Sequence, residues 1–405
     1  MRVLLVGSGG REHALAWAFS RGGTLRELHS APGNPGIAAL AECHPIRADD
    51  VGGLTALARR LAPDLVVVGP EAPLVAGLAD ELATAAIPVF GPSAAAARIE
   101  GSKRFAKEVM LAAGVPTAVE LKDARAPCVV KLDGLAAGKG VFVCTTDDEL
   151  KLGLSAAAKL GGDIVVEELL EGEEVSLFVL CDGHEAVPLA PARDFKRAFD
   201  GDVGPNTGGM GSFSAVPGLS DADVVDLVDL VHRPVLRQLE RRGTPFVGLL
   251  YAGLMLTDNG PRVLEFNCRF GDPETQSILP RLDGDLLAAL AAAAHGELAG
   301  VALASDGAAA TVVLAANDYP ERGDTGTPID GLADAEAAGA IVFHAGTAVD
   351  DGRLVTAGGR VVNVTGVGAT PESARAVAYD GAAAVSCPAL RYRTDIGAEV
   401  APARL

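Results

Sequence analysis

The chain has 405 residues, of which 49% are apolar and 21% are charged, and its net charge is −19. This apolar content excludes a disordered chain and is typical of a globular protein with about two to four domains. The acidic excess argues against a nucleic acid as the main partner, because a phosphate backbone needs a basic face. A small phosphorylated substrate remains compatible, since a few local cations and backbone N–H groups suffice to bind it.

Nothing in the sequence predicts export or a membrane partner. The apolar run after Met1 is too short for a signal peptide, and the run Leu286 to Ala294 cannot cross a bilayer. The six cysteines form no C-x-x-C pair, and several lie in apolar, strand-like runs. We therefore expect reduced structural thiols and a cytoplasmic location.

Residues 1–102 alternate short β-like runs with helical stretches. Strands are predicted at Val3–Val6 and Leu65–Val68, a helix at Glu12–Ser20, and the end of another strand at Val89–Phe90. A Gly- or Pro-rich loop follows each strand. The alternation predicts an α/β domain with a parallel, doubly wound sheet, whose ligands bind at the carboxyl ends of the strands.

The first of these loops, Gly7-Ser8-Gly9-Gly10-Arg11-Glu12, follows a strand and opens a helix. A dinucleotide fingerprint needs glycine at its first, third and sixth positions, but the sixth residue is Glu12. A phosphate or phosphoribosyl group at the helix N-terminus is therefore the preferred interpretation, with Arg11 adding a charge-assisted contact. A purely structural turn and a nicotinamide-dependent oxidoreductase remain as alternatives.

Residues 103–308 predict an α+β unit with hairpins, which includes a smaller lid over about 115–180. The predicted helices are Lys103–Ala113, Asp147–Leu160, Asp221–Arg242 and one that ends near Ala294. The predicted strands are Cys128–Lys131, Val141–Cys144, Ile164–Glu168, Val175–Leu180, Gly248–Leu256 and Arg262–Asn267. Between them, residues 191–216 show almost no periodicity, which predicts a long loop, and ordered loops of that length are usually functional.

Residues 309–405 predict a small C-terminal α+β domain. Its predicted strands lie near Thr311–Leu314, Ile341–Phe343 and Gly359–Val364, and a helix is predicted at Pro371–Ser386. The chain thus divides into an N-terminal domain, a central α+β unit with a lid, and this last domain.

A Gly-rich segment joins two predicted antiparallel strands between Lys131 and Gly140. It is not a Walker A loop, because only three residues separate Gly134 from Gly138 and Gly140 replaces the magnesium-binding Ser or Thr. Such a loop is a flap that can close over phosphates, with Lys131 and Lys139 neutralising charge from its two ends. A plain hairpin with surface lysines is the alternative.

The strand Val263–Asn267 places Glu265 and Asn267 on one face. Two oxygen ligands at this spacing suit Mg²⁺, which keeps waters and takes phosphate oxygens at its other positions. Arg269 follows, and a guanidinium beside a metal-bound triphosphate stabilises charge on the transferring phosphoryl group. An ordinary exposed strand face is the alternative interpretation.

Seven short motifs spread over nearly the whole chain carry a family resemblance. They are Gly9–His13, Ala31–Asn34, Gly69–Leu74, Glu100–Lys103, Asp133–Gly140, Gly204–Gly211 and Glu265–Glu274. Together they resemble the ATP-grasp enzymes, and within them the glycinamide ribonucleotide synthetase family. The last two motifs are much more specific than any single loop.

The resemblance implies a carbon–nitrogen ligase that uses ATP, glycine and 5-phosphoribosylamine, with Mg²⁺ or Mn²⁺ as cofactor. It implies ATP-binding residues Lys103, Lys131, Gly134, Leu135, Gly138, Lys139, Glu167, Glu168, Leu170 and Glu174. It implies substrate-binding residues Gly9, Gly10, Arg11, Pro32, Gly33, Asn34, Gly69, Pro70, Glu71, Asn206, Thr207, Gly208, Arg269 and Asp272. Glu265 and Asn267 would hold the metal, and Arg269 and Lys139 would act in catalysis.

Three features depart from the family pattern. The strand with Tyr251-Ala252-Gly253-Leu254 offers no acidic metal ligand, which leaves the number of metal ions open. Phe195 stands where the family has histidine, so that position receives no chemical role. The stretch from Pro116 to Cys128 is short, which predicts that the lid lacks one helix in this segment.

Two other functions remain as alternatives within the same fold. One is a carboxylating or formylating purine enzyme, against which the Asn206–Gly211 loop argues. The other is a non-catalytic nucleotide sensor, which the lysines, the metal pair and Arg269 disfavour. We expect a monomer that binds no nucleic acid and no membrane.

Overall fold

A computed structural model describes residues 1–135 and 140–398 of the chain. The N-terminal part contains β1 (Arg2–Gly7), α1 (Gly10–Arg21), β2 (Glu27–Pro32), α2 (Pro35–Ala38), β3 (Glu42–Cys43), α3 (Val51–Leu61), β4 (Leu65–Val68), α4 (Glu71–Val75), α5 (Leu78–Thr84), β5 (Val89–Phe90) and α6 (Ala94–Gly101). The strands are parallel and follow the order β3-β2-β1-β4-β5, which confirms the predicted doubly wound sheet. The chain runs outward on one side from β1 and on the other from β4, so the topological switch point lies between their carboxyl ends.

The lid is a small layer of three antiparallel strands covered by one helix. Its elements, with the helix that leads into it, are α7 (Lys103–Ala113), β6 (Cys128–Leu132), β7 (Val141–Cys144), α8 (Asp147–Leu160) and β8 (Ile164–Glu168), and the strand order is β7-β6-β8. Helix α8 begins with a capping box between Thr146 and Glu149. Its apolar face packs on the strands in a core that includes Cys128, Val130 and Leu150. The lid thus has a hydrophobic core of its own.

The central unit is built on the antiparallel sheet β10-β9-β15-β16. Its elements are β9 (Glu173–Asp182), β10 (Ala186–Pro188), β11 (Arg193–Asp194), β12 (Arg197–Phe199), β13 (Val203–Asn206), β14 (Gly211–Ser214), α9 (Asp221–Leu230), α10 (His232–Arg241), β15 (Val247–Thr257), β16 (Gly260–Asn267), α11 (Glu274–Ile278), β17 (Leu282–Asp283), α12 (Leu286–His295) and β18 (Ala304–Ser305). The predicted hairpin of β15 and β16 is confirmed.

Two predicted helices are interrupted. The single helix expected over Asp221–Arg242 is wrong, since it breaks at Val231 and restarts with Pro234 in its new first turn. Proline has no N–H to continue the earlier ladder, but it is tolerated in a first turn. The helix expected to run to Ala294 is also divided, because Pro280 and Gly284 lie in the connection between α11 and α12.

The C-terminal part is an α+β unit whose main sheet includes strands β11 and β14 of the central part. Its own elements are β19 (Ala308–Ala316), β20 (Asp324–Pro328), α13 (Leu332–Ala337), β21 (Ile341–His344), β22 (Thr347–Asp350), β23 (Arg353–Gly358), β24 (Arg360–Gly368), α14 (Pro371–Ala384) and β25 (Leu390–Arg391). Its main sheet has the order β11-β14-β19-β24-β21, with β25 paired to β19, while β20-β23-β22 forms a smaller sheet. The long loop predicted over 191–216 is therefore wrong, because it contains β11 to β14, which are too short for visible periodicity. Strands β12 and β13 pair with each other, whereas β14 pairs with the distant strand β19.

The helices and the cysteines were compared with the predictions made from sequence. Within residues 1–135 and 140–398, no helix combines the length and apolar character that a membrane crossing requires. All six cysteines lie in the described ranges and are free thiols, four of them buried.

We predict that His232 makes the fold sensitive to acid. The ring is fully buried beside Phe266, and burial lowers its pKa from 6.5 to about 3. Because the unfolded chain binds a proton below pH 6.5 and the folded chain does not, the fold loses about 2 kcal/mol between pH 7 and pH 5. The His232→Leu variant removes this loss, so its free energy of unfolding relative to wild type rises by about that amount over the same interval.

Urea unfolding at pH 7 and pH 5 measures the effect. His184→Leu is the control, because His184 is exposed and pairs with Glu240 at the surface. Equal pH dependence in wild type and His232→Leu would contradict the prediction.

Candidate active site

Two adjoining cavities lie where the lid, the central sheet and the N-terminal sheet meet. The apolar cavity, of about 620 Å³, lies between the lid and the central sheet. The charged cavity, of about 460 Å³, reaches the carboxyl edge of the N-terminal sheet. The residues that line both are Val141, Asp194, Lys196, Thr207 and Glu265. The two spaces therefore adjoin through a shared charged wall.

The apolar cavity suits a flat, apolar ligand. Val129 and Val143 of the lid face it from one side, and Met255 and Leu264 of the central sheet face it from the other. Leu170 lies in the segment that connects the lid to β9. A planar aromatic ring placed here would be held between apolar side chains and would reach backbone groups of the connecting segment.

Glu167 lies at the base of the apolar cavity and joins two lysines. Its carboxylate oxygens lie 2.5 Å from Lys107 Nζ and 2.6 Å from Lys131 Nζ. Lys131 Nζ also donates to the carbonyl oxygen of Leu264 at 2.8 Å. All three charged side chains are nearly inaccessible to solvent, so the pairing balances charge that burial would otherwise destabilise. The arrangement fixes Lys131 where strand β6 passes the cavity.

Lys196 forms the charged centre of the shared wall. Its ammonium group pairs with Glu174 and lies 3.5 Å from Asp194. Burial raises the pKa of Asp194, and the negative charges of Glu274 and Glu174 raise it further. The positive charge of Lys196 opposes this rise but does not cancel it. The pKa of Lys196 rises well above its usual value, since these carboxylates outweigh the effect of burial. Lys196 is therefore a fixed cation between the two cavities.

Glu265 and Asn267 lie on one face of β16, as the sequence predicts. Glu265 lines both cavities, and Asn267 lines the charged one. Burial acts to raise the pKa of Glu265, but the charges of Lys196 and Lys103 prevail and lower it. Opposite Glu265 on β15 stands Gly253, so this strand contributes no carboxylate there. The pair is an ionised carboxylate and an amide oxygen, a donor set that suits a hard divalent cation.

Arg269 is held between two carboxylates of the N-terminal part. Its Nε lies 3.2 Å from Glu71 Oε2, and its Nη2 lies 3.2 Å from Glu100 Oε1. Burial acts to lower the pKa of Arg269, but these carboxylates outweigh it and raise the pKa. The guanidinium is therefore a permanent, positioned charge on the wall of the charged cavity.

Asp272 lines the charged cavity and contacts the C-terminal part through Arg360. Its carboxylate lies 3.1 Å from Arg360 Nη2 and accepts from Gln276 Nε2 at 2.8 Å. Arg360 also donates to the carbonyl oxygen of Gly208, and the Gly208 N–H donates to the Tyr319 hydroxyl at 2.9 Å. Burial acts to raise the pKa of Asp272, and Arg360 with the other nearby cations lowers it. These contacts fix the backbone of the Gly204–Gly211 motif.

The structure brings most of the sequence-predicted site residues to the two cavities. The charged cavity is lined by the predicted residues Arg11, Glu71, Lys103, Gly134, Leu135, Thr207, Gly208, Glu265, Asn267, Arg269 and Asp272. The apolar cavity is lined by the predicted residues Lys131, Glu167, Glu168, Leu170, Glu174, Asn206, Thr207 and Glu265. Gly138 and Lys139 lie outside the described residues.

Seven predicted substrate residues line neither cavity as the described residues define them. They are Gly9, Gly10, Pro32, Gly33, Asn34, Gly69 and Pro70. Asn34 instead begins α2 as its cap, and its Nδ2 donates to the carbonyl oxygens of Ser8 and His344. Its side chain therefore ties the first loop to the C-terminal part.

The side chain of Glu12 holds the conformation of the first loop, Gly7–Glu12. Its carboxylate accepts from the Gly9 N–H and from Arg11 Nε, both at 2.6 Å. A Cβ at Gly69 would lie 2.0 Å from Glu12 Oε1, and one at Gly7 would lie 2.6 Å from Glu12 Cγ. The carboxylate thus fills the space between the loops after β1 and β4. The Gly9 N–H, which the sequence offered to a phosphate, is already bound by the protein's own anion.

Several cavity residues were missed by sequence reasoning. They are Glu100, Asp194, Lys196, Tyr251, Glu274, Tyr319 and Arg360. Glu100 and Glu274 belong to recognised motifs, and the charge density of Arg193–Arg197 was a usable signal for two others. Tyr319 and Arg360 carried no signal, since only the fold brings them to the cavity.

Comparison with known proteins covers the whole architecture. Residues 1–100, 101–275 and 309–399 match the models of the N domain, the ATP-grasp (A) domain and the C domain of phosphoribosylglycinamide synthetase. The chain is 52% identical to a phosphoribosylamine–glycine ligase of Streptomyces coelicolor over the full length of both. It is 48% identical to the enzyme of the same name from Mesorhizobium japonicum, over 98% of each.

Solved structures give the same result. A phosphoribosylamine–glycine ligase from Thermotoga maritima superposes with a TM-score of 0.85 at 36% identity, covering 98% of this chain and 100% of the other. The biotin carboxylase domain of Hydrogenobacter thermophilus 2-oxoglutarate carboxylase superposes with a TM-score of 0.70 at 16% identity, covering 96% and 91%. The second likeness is one of fold alone.

The lid, the central sheet and the cavity between them define an ATP-grasp protein. Within that class, the chain belongs to the phosphoribosylglycinamide synthetase family.

Proposed function

We propose that the chain is an ATP-dependent carbon–nitrogen ligase that joins glycine to 5-phosphoribosylamine in purine biosynthesis. The products are glycinamide ribonucleotide, ADP and phosphate. The names of full-length relatives and the family match over all three parts support this activity.

The adjoining cavities are the observation that carries the proposal. One is apolar and suits a purine ring, and the other is lined by ionised groups and suits anionic substrates. Lys196 and Glu265 line both, so an ATP molecule whose base lies in the first would direct its phosphates to the second. A nucleotide and a carboxylate can thus meet where charge is already positioned, which is the main requirement of phosphoryl transfer.

ATP is assigned to the lid side of the site. Leu170 and the neighbouring backbone at Glu167 and Glu168 would contact adenine, and Glu174 would contact the ribose. Lys103, Lys131, Gly134 and Leu135 are assigned to the phosphates of ATP. Gly138 and Lys139 lie outside the described residues and are assigned to the phosphates from the flap motif alone, with a catalytic role for Lys139.

Glu265 and Asn267 would hold Mg²⁺ or Mn²⁺. They fit such an ion because both offer hard oxygen ligands on one strand face and the pKa of Glu265 is lowered, so its carboxylate is ionised. When bound, the ion would neutralise phosphate charge as it develops.

The proposed chemistry proceeds in two steps. A carboxylate oxygen of glycine attacks the γ-phosphorus of ATP, the bond to ADP breaks, and glycyl phosphate forms. The amine of 5-phosphoribosylamine then attacks the carbonyl carbon to form the C–N bond. The bond from that carbon to the bridging oxygen breaks, phosphate leaves with this oxygen and the electron pair, and the nitrogen loses a proton. The protein supplies position and charge, with Arg269 facing the acyl phosphate.

The substrate assignment follows the charged cavity. Asn206, Thr207, Gly208 and Arg269 would contact glycine and the acyl phosphate, while Arg11, Glu71 and Asp272 would contact 5-phosphoribosylamine. Gly9, Gly10, Pro32, Gly33, Asn34, Gly69 and Pro70 would form the supporting loops on that side. We further propose a cytoplasmic monomer without a nucleic-acid or membrane partner, in keeping with its net charge of −19.

The test is ADP release by purified protein with ATP, Mg²⁺ and 5-phosphoribosylamine generated in the assay. Release that needs glycine, together with glycinamide ribonucleotide detected by mass, is the expected result. Vigorous release with bicarbonate or formate in place of glycine would instead indicate a carboxylating or formylating enzyme. ATP binding without turnover for any acceptor would indicate a nucleotide sensor.

A further inference from the structure

Two histidines and a glutamate cluster on the outer edge of the N-terminal sheet. His29 lies on β2 directly opposite Glu42 on the edge strand β3. His44 follows two residues after Glu42, and its N–H donates to the Ser30 carbonyl oxygen at 2.8 Å. Alternation along the strand places Glu42 and His44 on one face, where His29 also lies. This His29–Glu42–His44 cluster has no part in the proposed ligase site.

The distances within the cluster match a metal site. His29 Nδ1 lies 3.1 Å from His44 Nε2 and 3.6 Å from Glu42 Oε2, and His44 Nε2 lies 4.0 Å from Glu42 Oε1. A tetrahedral zinc ion, with bonds of about 2.0–2.2 Å, separates its ligand atoms by roughly 3.4 Å. Shifts of a few tenths of an ångström, mainly in the exposed Glu42 side chain, would complete the geometry.

The surroundings of His29 orient its ring as in known zinc sites. Its other nitrogen, Nε2, lies 3.1 Å from Glu27 Oε1, and Glu27 is itself held by Arg2 Nε at 2.6 Å. When Nε2 carries the ring proton and donates a hydrogen bond to Glu27, Nδ1 is unprotonated and its lone pair is directed at the cluster. The His29 side chain is only 3% exposed, so this orientation is fixed by packing as well.

We propose that His29, Glu42 and His44 bind one zinc-type divalent ion, with water as the fourth ligand, and that the ion fastens β3 to β2. Strand β3 is only two residues long and lies at the sheet edge, so few backbone hydrogen bonds hold it. Imidazole ligands favour Zn²⁺, Ni²⁺ or Cu²⁺ over Mg²⁺, which prefers oxygen, so this site is chemically distinct from Glu265 and Asn267. Arg60 acts electrostatically on His44 and weakens the attraction for a cation.

The test is calorimetric titration of the full chain with Zn²⁺ in excess Mg²⁺, paired with the absorption spectrum of Co²⁺. We expect one equivalent of Zn²⁺ and a tetrahedral Co²⁺ spectrum. His44→Ala should weaken binding by about a hundredfold and remove the spectrum, and Glu27→Gln should weaken binding by about tenfold. His44 is chosen because its side chain is more exposed than that of His29, which favours folding of the variant.

The matched control is His184→Ala, which removes an exposed histidine that pairs with one glutamate, Glu240, at 3.0 Å. It should bind Zn²⁺ as wild type does. Zinc should also slow hydrogen exchange of the His44 amide. Equal Zn²⁺ binding by wild type and His44→Ala, or no binding by wild type, would show that the cluster is only a hydrogen-bonded histidine pair and would overturn the proposal.

Discussion

Replacing Arg269 by methionine is expected to lower kcat/KM for the ligation by about a thousandfold, or roughly 4 kcal/mol of transition-state stabilisation. The guanidinium faces the charged cavity and carries a permanent charge fixed by Glu71 and Glu100. Methionine keeps most of the side-chain volume but removes that charge. Steady-state kinetics with ATP, glycine and 5-phosphoribosylamine measure the loss.

The same substitution should also destabilise the fold, by about 3 kcal/mol, because it leaves the buried carboxylate of Glu100 and the partly buried carboxylate of Glu71 without their ion-pair partner. A second change, Glu100→Gln, separates the two effects. The amide oxygen can still accept the Cys268 N–H, which Glu100 does at 2.8 Å, but it carries no charge.

The double variant should therefore regain much of the stability in urea unfolding and none of the activity. Arg104→Met is the control, since Arg104 is about half exposed and lies 3.8 Å or more from its carboxylate partners. Wild-type kcat/KM in Arg269→Met, or recovery of activity in the double variant, would contradict the role of Arg269.

Glu265→Gln should also lower turnover by about a thousandfold, and high concentrations of Mg²⁺ should restore part of it. Glutamine has nearly the shape of glutamate, but it is a weaker metal ligand and carries no charge. The substitution also removes the negative charge that faces Lys103, Lys131 and Lys196 between the cavities. The Mg²⁺ concentration needed for half-maximal activity should rise by at least about tenfold.

Glu120→Gln serves as the control for Glu265→Gln, since Glu120 is an exposed carboxylate 3.8 Å from Arg104. Circular dichroism and urea unfolding establish that each variant is folded. Normal turnover of Glu265→Gln at limiting Mg²⁺ would remove Glu265 from the metal site.

The elements that sequence predicts well are those with a local cause. Helix Lys103–Ala113 has Ser102 as its N-cap and ends at Gly114 in the left-handed region, and its predicted bounds are those observed. The strands Leu65–Val68 and Ile164–Glu168 are equally well bounded, because short runs rich in β-branched residues end at polar residues or glycine. Local propensity and hydrophobic pattern agree at these places.

Some of the elements that sequence misses depend on distant partners. Strand β14 pairs with β19, nearly a hundred residues later, and buries Ser212 and Ser214, which have no apolar pattern to reveal a strand. The site shows the same division. Glu265 and Asn267 follow from strand alternation, whereas Arg360 meets Asp272 only because the C-terminal sheet packs beside the cavity.

Glu12 is a different case. The sequence shows that it replaces the third glycine of the fingerprint, but not that its carboxylate binds the loop backbone. The residue breaks the dinucleotide fingerprint, and its carboxylate occupies the anion position at the Gly9 N–H. In this loop, the residue that replaces the third glycine is therefore the one whose carboxylate takes the place of a phosphate.

The most direct test of the proposed ligation follows oxygen from glycine carrying ¹⁸O in its carboxylate. The enzyme would be given this glycine with ATP, Mg²⁺ and 5-phosphoribosylamine, and the released phosphate would be analysed by mass. An acyl phosphate requires that one carboxylate oxygen leaves with phosphate, so each turnover should yield one ¹⁸O in phosphate and one in the amide of glycinamide ribonucleotide. Unlabelled phosphate formed alongside the ligated product would contradict activation of glycine by phosphoryl transfer.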